Sequence, residues 1–291
     1  MEGRQKKKRK HGPVYYLLIV VLILIGAGAL SYPLFSSAWN NYRNRKLLSS
    51  YSDSVQNLQS SEVSRMWEEA QAYNAQHRSN NPVDPFSIEK EEYIKTHPYD
   101  DLLNPNEDGV MGELVIPKIG LRLPIFHGTG KEALEKGCGH LMGTSLPSGG
   151  VGNHTVLSAH RGLPSAKLFT DLDQVGIGDC FYLHILDQVL AYQVDQILTV
   201  LPEESEALAI DPSMDYATLV TCTPYGVNTH RLLVRGHRIP YHKSEKESVD
   251  HPNVLFGQIG MTEKIFFTGL AVLIVIVAVM LLIRIVVSRR K

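Results

Sequence analysis

The sequence predicts a mainly β fold: a closed β-barrel of about eight strands with short helices, together with N-terminal helices and two membrane helices. About seven or eight short apolar segments, separated by Gly, Pro and polar turns, indicate the barrel between residues 112 and 239. Apolar residues at loose helical spacing within residues 37–80 indicate the helices before it. Two long apolar runs indicate the membrane helices. There is no sustained alternation of strands with helices and no internal repeat.

The first apolar run, Val14–Leu30, has 17 residues without a charge and follows a basic block from Lys6 to Lys10. Residues up to Phe35 extend it toward the length of about 20 residues that a bilayer requires. Residues 14–35 are therefore predicted to be an N-terminal membrane anchor. A cleaved signal peptide is the alternative because positions 26–29 hold only small residues, although its apolar core is usually shorter, about 7–15 residues.

Residues 36–80 are predicted to form a helical segment of one or two surface helices that leads away from the membrane. Its apolar positions at loose helical spacing are Val55, Leu58, Val63, Met66 and Trp67. Residues 81–110 begin with two prolines, Pro82 and Pro85, that block regular structure. This second region is therefore predicted to be mostly loop.

Residues 111–242 are predicted to hold the barrel. A short helix is expected over Ser165–Leu172, and Asp187-Gln188 is expected to form a hairpin turn. The last two strands surround the loop Cys222–Thr229. The predicted strands are residues 113–119, 121–126, 154–159, 179–186, 189–200, 216–221 and 230–239.

The second apolar run, Ile265–Val287, has 23 residues, and a helix of that length reaches about 35 Å, enough to cross a bilayer. It is predicted to be a C-terminal transmembrane helix, joined to the barrel by a linker at 243–264. A buried core helix and a lipid-anchor signal are the alternatives. The basic tail that follows, residues 288–291, favours a retained membrane helix over the lipid-anchor signal.

Charge is distributed unevenly along a chain whose net charge is only −1. Residues 1–10 carry +5 and residues 284–291 carry +4, which leaves −10 for the residues between them. Because basic residues stay on the cytoplasmic side of a membrane, both termini (residues 1–13 and 288–291) are predicted to be cytoplasmic tails and the barrel to lie outside the cell. An acidic body also argues against nucleic-acid binding.

The segment TLVTCTPYG holds the residue best suited to be a nucleophile. Cys222 is expected directly after an apolar strand and before a Pro-Gly loop, where a thiol is exposed and held rigidly. Arg231 opens the next strand nine residues on, so its guanidinium is expected beside the thiol, able to lower its pKa or to bind an oxyanion. His160, in VLSAHRG, follows another strand and is a candidate general acid and base.

The residues alone leave alternatives open for this site. Cys222 is also consistent with a small buried hydrophobic residue, and Cys138 and Cys180 are expected to be packing residues. A zinc site is a further interpretation, but the cysteines lack paired-ligand spacing, and three cysteines without a CxxC exclude a disulfide scaffold. Other candidate histidines are His127, His140, His154, His184, His230 and His237.

The segment TLVTCTPYGVNTHRLLVRGHR (218–238) closely resembles the signature of sortases, the cell-surface transpeptidases of Gram-positive bacteria. LSAHRG (157–162) resembles their histidine segment, and the similarity extends over about 81–240, the whole predicted barrel. Asp84-Pro85-Phe86 looks like the lid motif of class C, the pilus-assembling sortases, and a C-terminal membrane helix is also typical of that class. The positions that match the family motif are Thr218, Leu219, Thr221, Cys222 and Arg231.

The resemblance implies a sortase β-barrel with Cys222, His160 and Arg231 as the catalytic residues. Cys222 would attack the Thr–Gly bond of an LPXTG-type sorting signal on a pilin, and a lysine amine of the next pilin would resolve the thioacyl enzyme. His160 would transfer the protons and Arg231 would bind the oxyanion. The chemistry needs no metal or organic cofactor.

The resemblance also makes residues 81–110 a lid-bearing region. Asp84 would pair with Arg231 and Phe86 would cover the Cys222 sulfur. The implied partners are pilin subunits with a C-terminal sorting signal, the acceptor pilin lysine and the membrane. The alternatives are a class A-like housekeeping sortase, a membrane-anchored cysteine protease, and a non-catalytic surface or pilus-scaffold protein.

Overall fold

The computed structural model describes residues 13–76 and 99–241. The predicted lid residues Asp84 and Phe86 and the predicted helix at 265–287 lie outside these ranges. The chain divides into two compact units, one of which ends at Phe35 while the other begins at Ser36. Each unit is described by itself.

Helix α1 (Pro13–Asn57) contains the whole of the predicted N-terminal anchor, residues 14–35. Within the described ranges, no single helix has the length and apolar composition to cross a bilayer, but the bent pair Val21–Ala29 and Ser31–Asn57 meets that criterion together. The break between the two segments has a cause in the sequence, because the ring of Pro33 collides with the carbonyl group four residues earlier, that of Ala29.

Helix α2 (Ser60–Gln76) begins at a capping interaction, in which the backbone N–H of Gln59 donates to the Glu62 carboxylate at 3.1 Å. The sequence analysis predicted surface helices here and did not anticipate that one face of α2 packs into the main core of the barrel. Its buried apolar residues are Val63, Met66, Ala70 and Tyr73.

Two polar side chains attach these helices to the barrel. The buried Tyr51 hydroxyl of α1 donates to the carbonyl oxygen of Met111 and accepts from the backbone N–H of Leu186, both at 2.8 Å. The buried Asn74 side chain of α2 accepts from the backbone N–H of Leu146 at 2.7 Å and donates to its carbonyl oxygen at 3.1 Å. The helices therefore satisfy backbone groups that the barrel leaves unpaired.

The predicted closed β-barrel is confirmed, with eight strands in the order β1-β2-β3-β4-β7-β8-β6-β5. The pairs β2–β3 and β4–β7 are parallel and the others are antiparallel. Short 3₁₀ helices cover 117–119, 168–174 and 206–208, and helix α3 is Lys131–Lys136. The strands are β1 (Val110–Ile116), β2 (Leu121–His127), β3 (Cys138–His140), β4 (Asn153–Ser158), β5 (Cys180–Ile185), β6 (Gln188–Val200), β7 (Asp215–Thr223) and β8 (His230–Ile239).

Three local predictions need correction. Strand β7 continues to Thr223, so Cys222 lies within the strand rather than after it. The helix expected from Ser165 is a 3₁₀ helix that begins only at Leu168. The turn between β5 and β6 is Leu186-Asp187, one residue earlier than predicted, because Leu186 adopts a positive φ of 50° and β6 already begins at Gln188.

Alternation along β7 and β8 separates two apolar clusters. Ala217, Leu219 and Val234 point into the main core of the barrel. Val220 and Leu233 point to the outer face, where they pack with Leu208 of the segment that connects β6 to β7. Cys222 follows Val220 by two residues, so its side chain also lies on the outer face.

Two buried histidines predict how stability depends on pH. Burial lowers the pKa of His140 and that of His154 to about 4, from an ordinary value of 6.5. Because the pKa is depressed in the folded state, the stabilisation is complete above pH 6.5 and is lost as the pH falls toward 4. We expect the free energy of unfolding, measured with urea, to fall by about 1.4 kcal/mol per pH unit for each histidine in that window.

The variant His154→Gln separates this effect from other titrating groups. Glutamine cannot take up a proton, so the slope of unfolding free energy against pH should be shallower than in the parent by about 1.4 kcal/mol per unit. An identical slope in parent and variant would contradict the assignment.

Candidate active site

Cys222 and Arg231 lie directly opposite each other on neighbouring antiparallel strands, β7 and β8. Residues opposed in this way have Cβ atoms about 4.5–5.5 Å apart and side chains on the same face of the sheet. Both side chains are half-buried, and Cys222 carries a reduced thiol. The pairing sets a guanidinium beside a thiol on the outer face of the barrel.

His160 lies two residues beyond the end of β4, which runs parallel to β7 with Ser158 opposite Val220. The ladder continues beyond the strand, because the backbone N–H of Ala159 donates to the Val220 carbonyl oxygen at 3.2 Å. Extending this register by two residues brings His160 level with Cys222. The structure therefore gathers all three candidate catalytic residues at one end of β4, β7 and β8.

The residues on either side of His160 are bound to the residues on either side of Cys222. Before the histidine, the Thr221 hydroxyl donates to the Ala159 carbonyl oxygen at 2.7 Å. After it, Nη1 of Arg161 donates to the Thr223 hydroxyl at 3.1 Å. These two hydrogen bonds fix the histidine loop against the strand that carries the thiol.

Gly162 completes this loop with a positive φ of 80°, which favours glycine. A Cβ atom at this position would lie 2.9 Å from the ring of Tyr225, the third residue after Cys222. The backbone of the histidine loop therefore packs closely against the Tyr225 ring of the loop after the cysteine, and the positive φ favours glycine there.

Burial lowers the pKa of His160, and the charge of Glu135 opposes that shift to a lesser degree. The imidazole is therefore neutral at pH 7 and able to accept a proton. A neutral imidazole level with a thiol is a candidate general base for that thiol.

A small, mainly apolar pocket adjoins Arg231 on the outer face. Its walls come from the ends of β7 and β8 and from the segment that connects β6 to β7. The lining residues are Val200, Leu201, Pro202, Glu204, Ser205, Leu208, Val220, Arg231 and Leu233. A larger open cleft, about 640 Å³, is lined by Tyr216 and Arg235 farther along the strands and contains none of the three candidate residues.

Comparison with known proteins identifies the family. The sortase domain model matches residues 114–239, almost the whole barrel. The crystal structure of Streptococcus pneumoniae sortase C has 45% sequence identity to this chain. The match covers 67% of this chain and 97% of the crystallised chain, with a TM-score of 0.60. This chain belongs to the sortase family.

Similarity to class C sortases extends to a second streptococcal species. The crystal structure of sortase C1 from Streptococcus agalactiae is 43% identical over 68% of this chain and 100% of the crystallised chain, with a TM-score of 0.62. The class C assignment from the sequence is thereby confirmed. Sortase A of Streptococcus agalactiae is 35% identical over 117 residues, and the chain spans only about half, 47%, of that curated relative.

Three other candidate histidines of the sortase domain are held in buried hydrogen-bonded positions. The ring nitrogens of His140 bind the Tyr99 hydroxyl at 2.7 Å and the Ser145 carbonyl oxygen at 2.9 Å. Those of His154 bind the Ala209 carbonyl oxygen and the Thr218 hydroxyl, and those of His127 face two backbone carbonyl oxygens. These hydrogen bonds indicate that the three histidines have a structural role.

The other two thiols of the sortase domain differ from that of Cys222. Cys138 is fully buried, donates to the Pro124 carbonyl oxygen at 3.4 Å and has a pKa raised by burial, so it is inert. Cys180 is half-buried on β5 and packs near Val115 and Tyr182.

Sequence reasoning did not single out Arg161 and Thr223, although the Arg that follows His160 in LSAHRG was a usable signal.

Proposed function

We propose that this sortase is a pilin-specific cysteine transpeptidase in which Cys222 is the nucleophile, His160 the general acid and base, and Arg231 the oxyanion-binding group. One observation carries the proposal: Cys222 is opposite Arg231 in the β7–β8 register, while the residues flanking it bind the residues flanking His160. A thiol, an imidazole and a guanidinium on adjacent strand ends are the groups that thiol acyl transfer requires.

The reaction has two acyl transfers. In the first, His160 takes the proton of the Cys222 thiol, and the thiolate attacks the Thr–Gly carbonyl of an LPXTG-type signal while Arg231 binds the oxyanion. The tetrahedral intermediate then expels the glycine amine, which takes the proton from His160, and a thioester remains. In the second, a lysine amine attacks the thioester, His160 removes its proton and returns one to the thiolate, and an isopeptide bond forms.

The proposed substrates and location follow from relatives and from the sequence. The Streptococcus pneumoniae sortase C is described as having pilin substrate specificity, which supports pilin subunits as donor and acceptor. We further propose membrane anchoring with the barrel on the extracellular face and both termini cytoplasmic. Tethering would raise the local concentration of substrates that are themselves membrane-held.

Mass spectrometry of the full chain in detergent tests the proposal. Mixed with a sorting-signal peptide, the protein should gain the mass of the acyl fragment at Cys222 and not at Cys180. Adding a lysine-containing pilin peptide should divert the product to an amide adduct. Release of only the hydrolysed peptide in the presence of amine would identify a cysteine protease instead, and an adduct at Cys180 would refute the assignment of the nucleophile.

The proposed lid yields a separate prediction, although it lies outside the described residues. If Asp84 and Phe86 cover the thiol, Phe86→Ala and Asp84→Ala should each raise the rate at which a small thiol reagent alkylates Cys222. The measurement is the second-order rate of alkylation, with Asp187→Ala, an exposed residue in the turn between β5 and β6, as a control outside the lid-bearing region. Equal rates in the parent and both lid variants would contradict gating.

A further inference from the structure

Arg161 is a charged residue in an unusually buried setting. Only 9% of its side chain is exposed, and Nη2 forms an ion pair with Asp173 on the 3₁₀ helix that follows the histidine loop. Its Nη1 donates to Thr223, while its Nε has no hydrogen-bond partner among the described residues. A guanidinium this buried is costly unless it is paired, and its two partners lie on the 3₁₀ helix and on β7, so the side chain connects three segments.

The Arg161 guanidinium lies on the face of β7 opposite the Cys222 thiol, whereas the Arg231 guanidinium lies on the same face as the thiol. Side chains alternate along a strand, so the Thr223 hydroxyl points to the face of β7 opposite the Cys222 side chain. Arg161 reaches that hydroxyl and therefore connects the residue after His160 to the residue after Cys222 from the back of the strand. The Thr221 hydroxyl, on the same face of β7 as that of Thr223, makes the matching connection before the cysteine, to the carbonyl oxygen of Ala159.

We propose that Arg161 is a positioning residue: braced by Asp173, it holds the His160 loop against the end of β7 and so fixes the imidazole beside the Cys222 thiol. The inference rests on the proposed function, because it assigns Arg161 a part only through that thiol–imidazole pair. The side chains of Cys222, Val220 and Leu233 lie on the opposite, outer face of the sheet. A sorting signal that reaches the thiol must approach from that face, so loosening the brace is expected to affect the chemical step and to leave peptide binding intact.

The effect on turnover follows from geometry. A displacement of about 1 Å between reacting groups costs about 10²-fold in rate. In Arg161→Lys, a single ammonium cannot bridge Thr223 and Asp173 together, so kcat should fall about 10- to 100-fold while KM for the sorting-signal peptide stays unchanged. Thr223→Val removes one hydrogen bond at constant shape and should lower kcat by about 3- to 10-fold.

The test compares kcat, KM and the pH dependence of Cys222 alkylation in the full-length parent, Arg161→Lys, Thr223→Val and Arg122→Lys. Arg122 is the matched control, since it forms a bidentate pair with Glu113 between β1 and β2, away from the thiol. Lower kcat at constant KM, with an alkylation profile shifted toward that of an ordinary thiol, is expected only for the two brace variants.

The outcomes separate the inference from the function on which it rests. Parental kcat and a parental alkylation profile in both brace variants would overturn the positioning assignment, as would a raised KM at unchanged kcat. Should Arg161→Lys fail to fold, the isosteric Thr223→Val decides alone. Full turnover in Cys222→Ala would instead refute the proposed function, whatever the brace variants do.

Discussion

Replacing Cys222 with alanine is expected to abolish both cleavage of a sorting-signal peptide and its transfer to an amine. The thiol forms the covalent intermediate, and neither His160 nor Arg231 can replace it. Removing the nucleophile of an enzyme that works by covalent catalysis costs on the order of 10⁶-fold in kcat. The measurement is product formation followed by chromatography over hours, because residual activity will be close to the uncatalysed rate.

Cys180→Ala is the matched control for that experiment. Cys180 is also half-buried and also lies on a barrel strand, but β5 is not adjacent to β7 in the sheet. Its replacement should leave kcat within about twofold of the parent, since surface substitutions change little. Measurable turnover in Cys222→Ala, or a loss of turnover confined to Cys180→Ala, would refute Cys222 as the nucleophile.

Arg231→Ala is expected to produce the next largest loss, a fall in kcat of about 10²–10³-fold, the usual cost of removing one oxyanion donor. The side chain is held beside the thiol by its register position on β8 and makes long contacts, 3.4 Å, with the carbonyl oxygens of Asn228 and His230. Arg231→Lys keeps the charge but not the planar pair of donors, so it should recover only part of the activity.

Arg235→Lys tests whether the effect is specific to position 231. Arg235 lies four residues along the same strand, on the same face, where it pairs with Asp195 and covers the ring of Tyr216. The kcat of the Arg235→Lys variant should remain near that of the parent even if the melting temperature of the variant falls. A loss of the same size in Arg235→Lys and Arg231→Lys would indicate a general effect of strand β8 rather than oxyanion binding.

Local patterns in the sequence were enough to predict the barrel and the outline of its site. Alternating apolar residues identified β7 and β8, and a nine-residue separation across a loop correctly predicted that Cys222 and Arg231 are neighbours. Strand β3 was missed because its three residues, Cys138–His140, are too few to carry a pattern. The glycine-rich sequence on either side of β3 is typical of a loop, so the sequence pattern does not indicate a strand there.

Three-dimensional contacts support the choice among the histidines. In the sequence, His160 was preferred because it follows a predicted strand and because LSAHRG resembles the sortase histidine segment. The structure adds that two of the other candidates, His140 and His154, are buried and hydrogen-bonded. The contacts of Arg161, by contrast, could not be predicted from the sequence. Its partners Asp173 and Thr223 are 12 and 62 residues away along the chain, and no local periodicity connects them.

The attachment of α1 and α2 bears on how this protein is best produced for experiments. A fragment cut at residue 114, where the family match begins, would strip the barrel of the Tyr51 and Asn74 anchors and leave the backbone N–H groups of Leu186 and Leu146 without acceptors. It would also bare the apolar patch that α2 covers, which promotes aggregation. Recombinant versions should therefore start upstream of Tyr51, so that both helices are included as part of the folded catalytic domain.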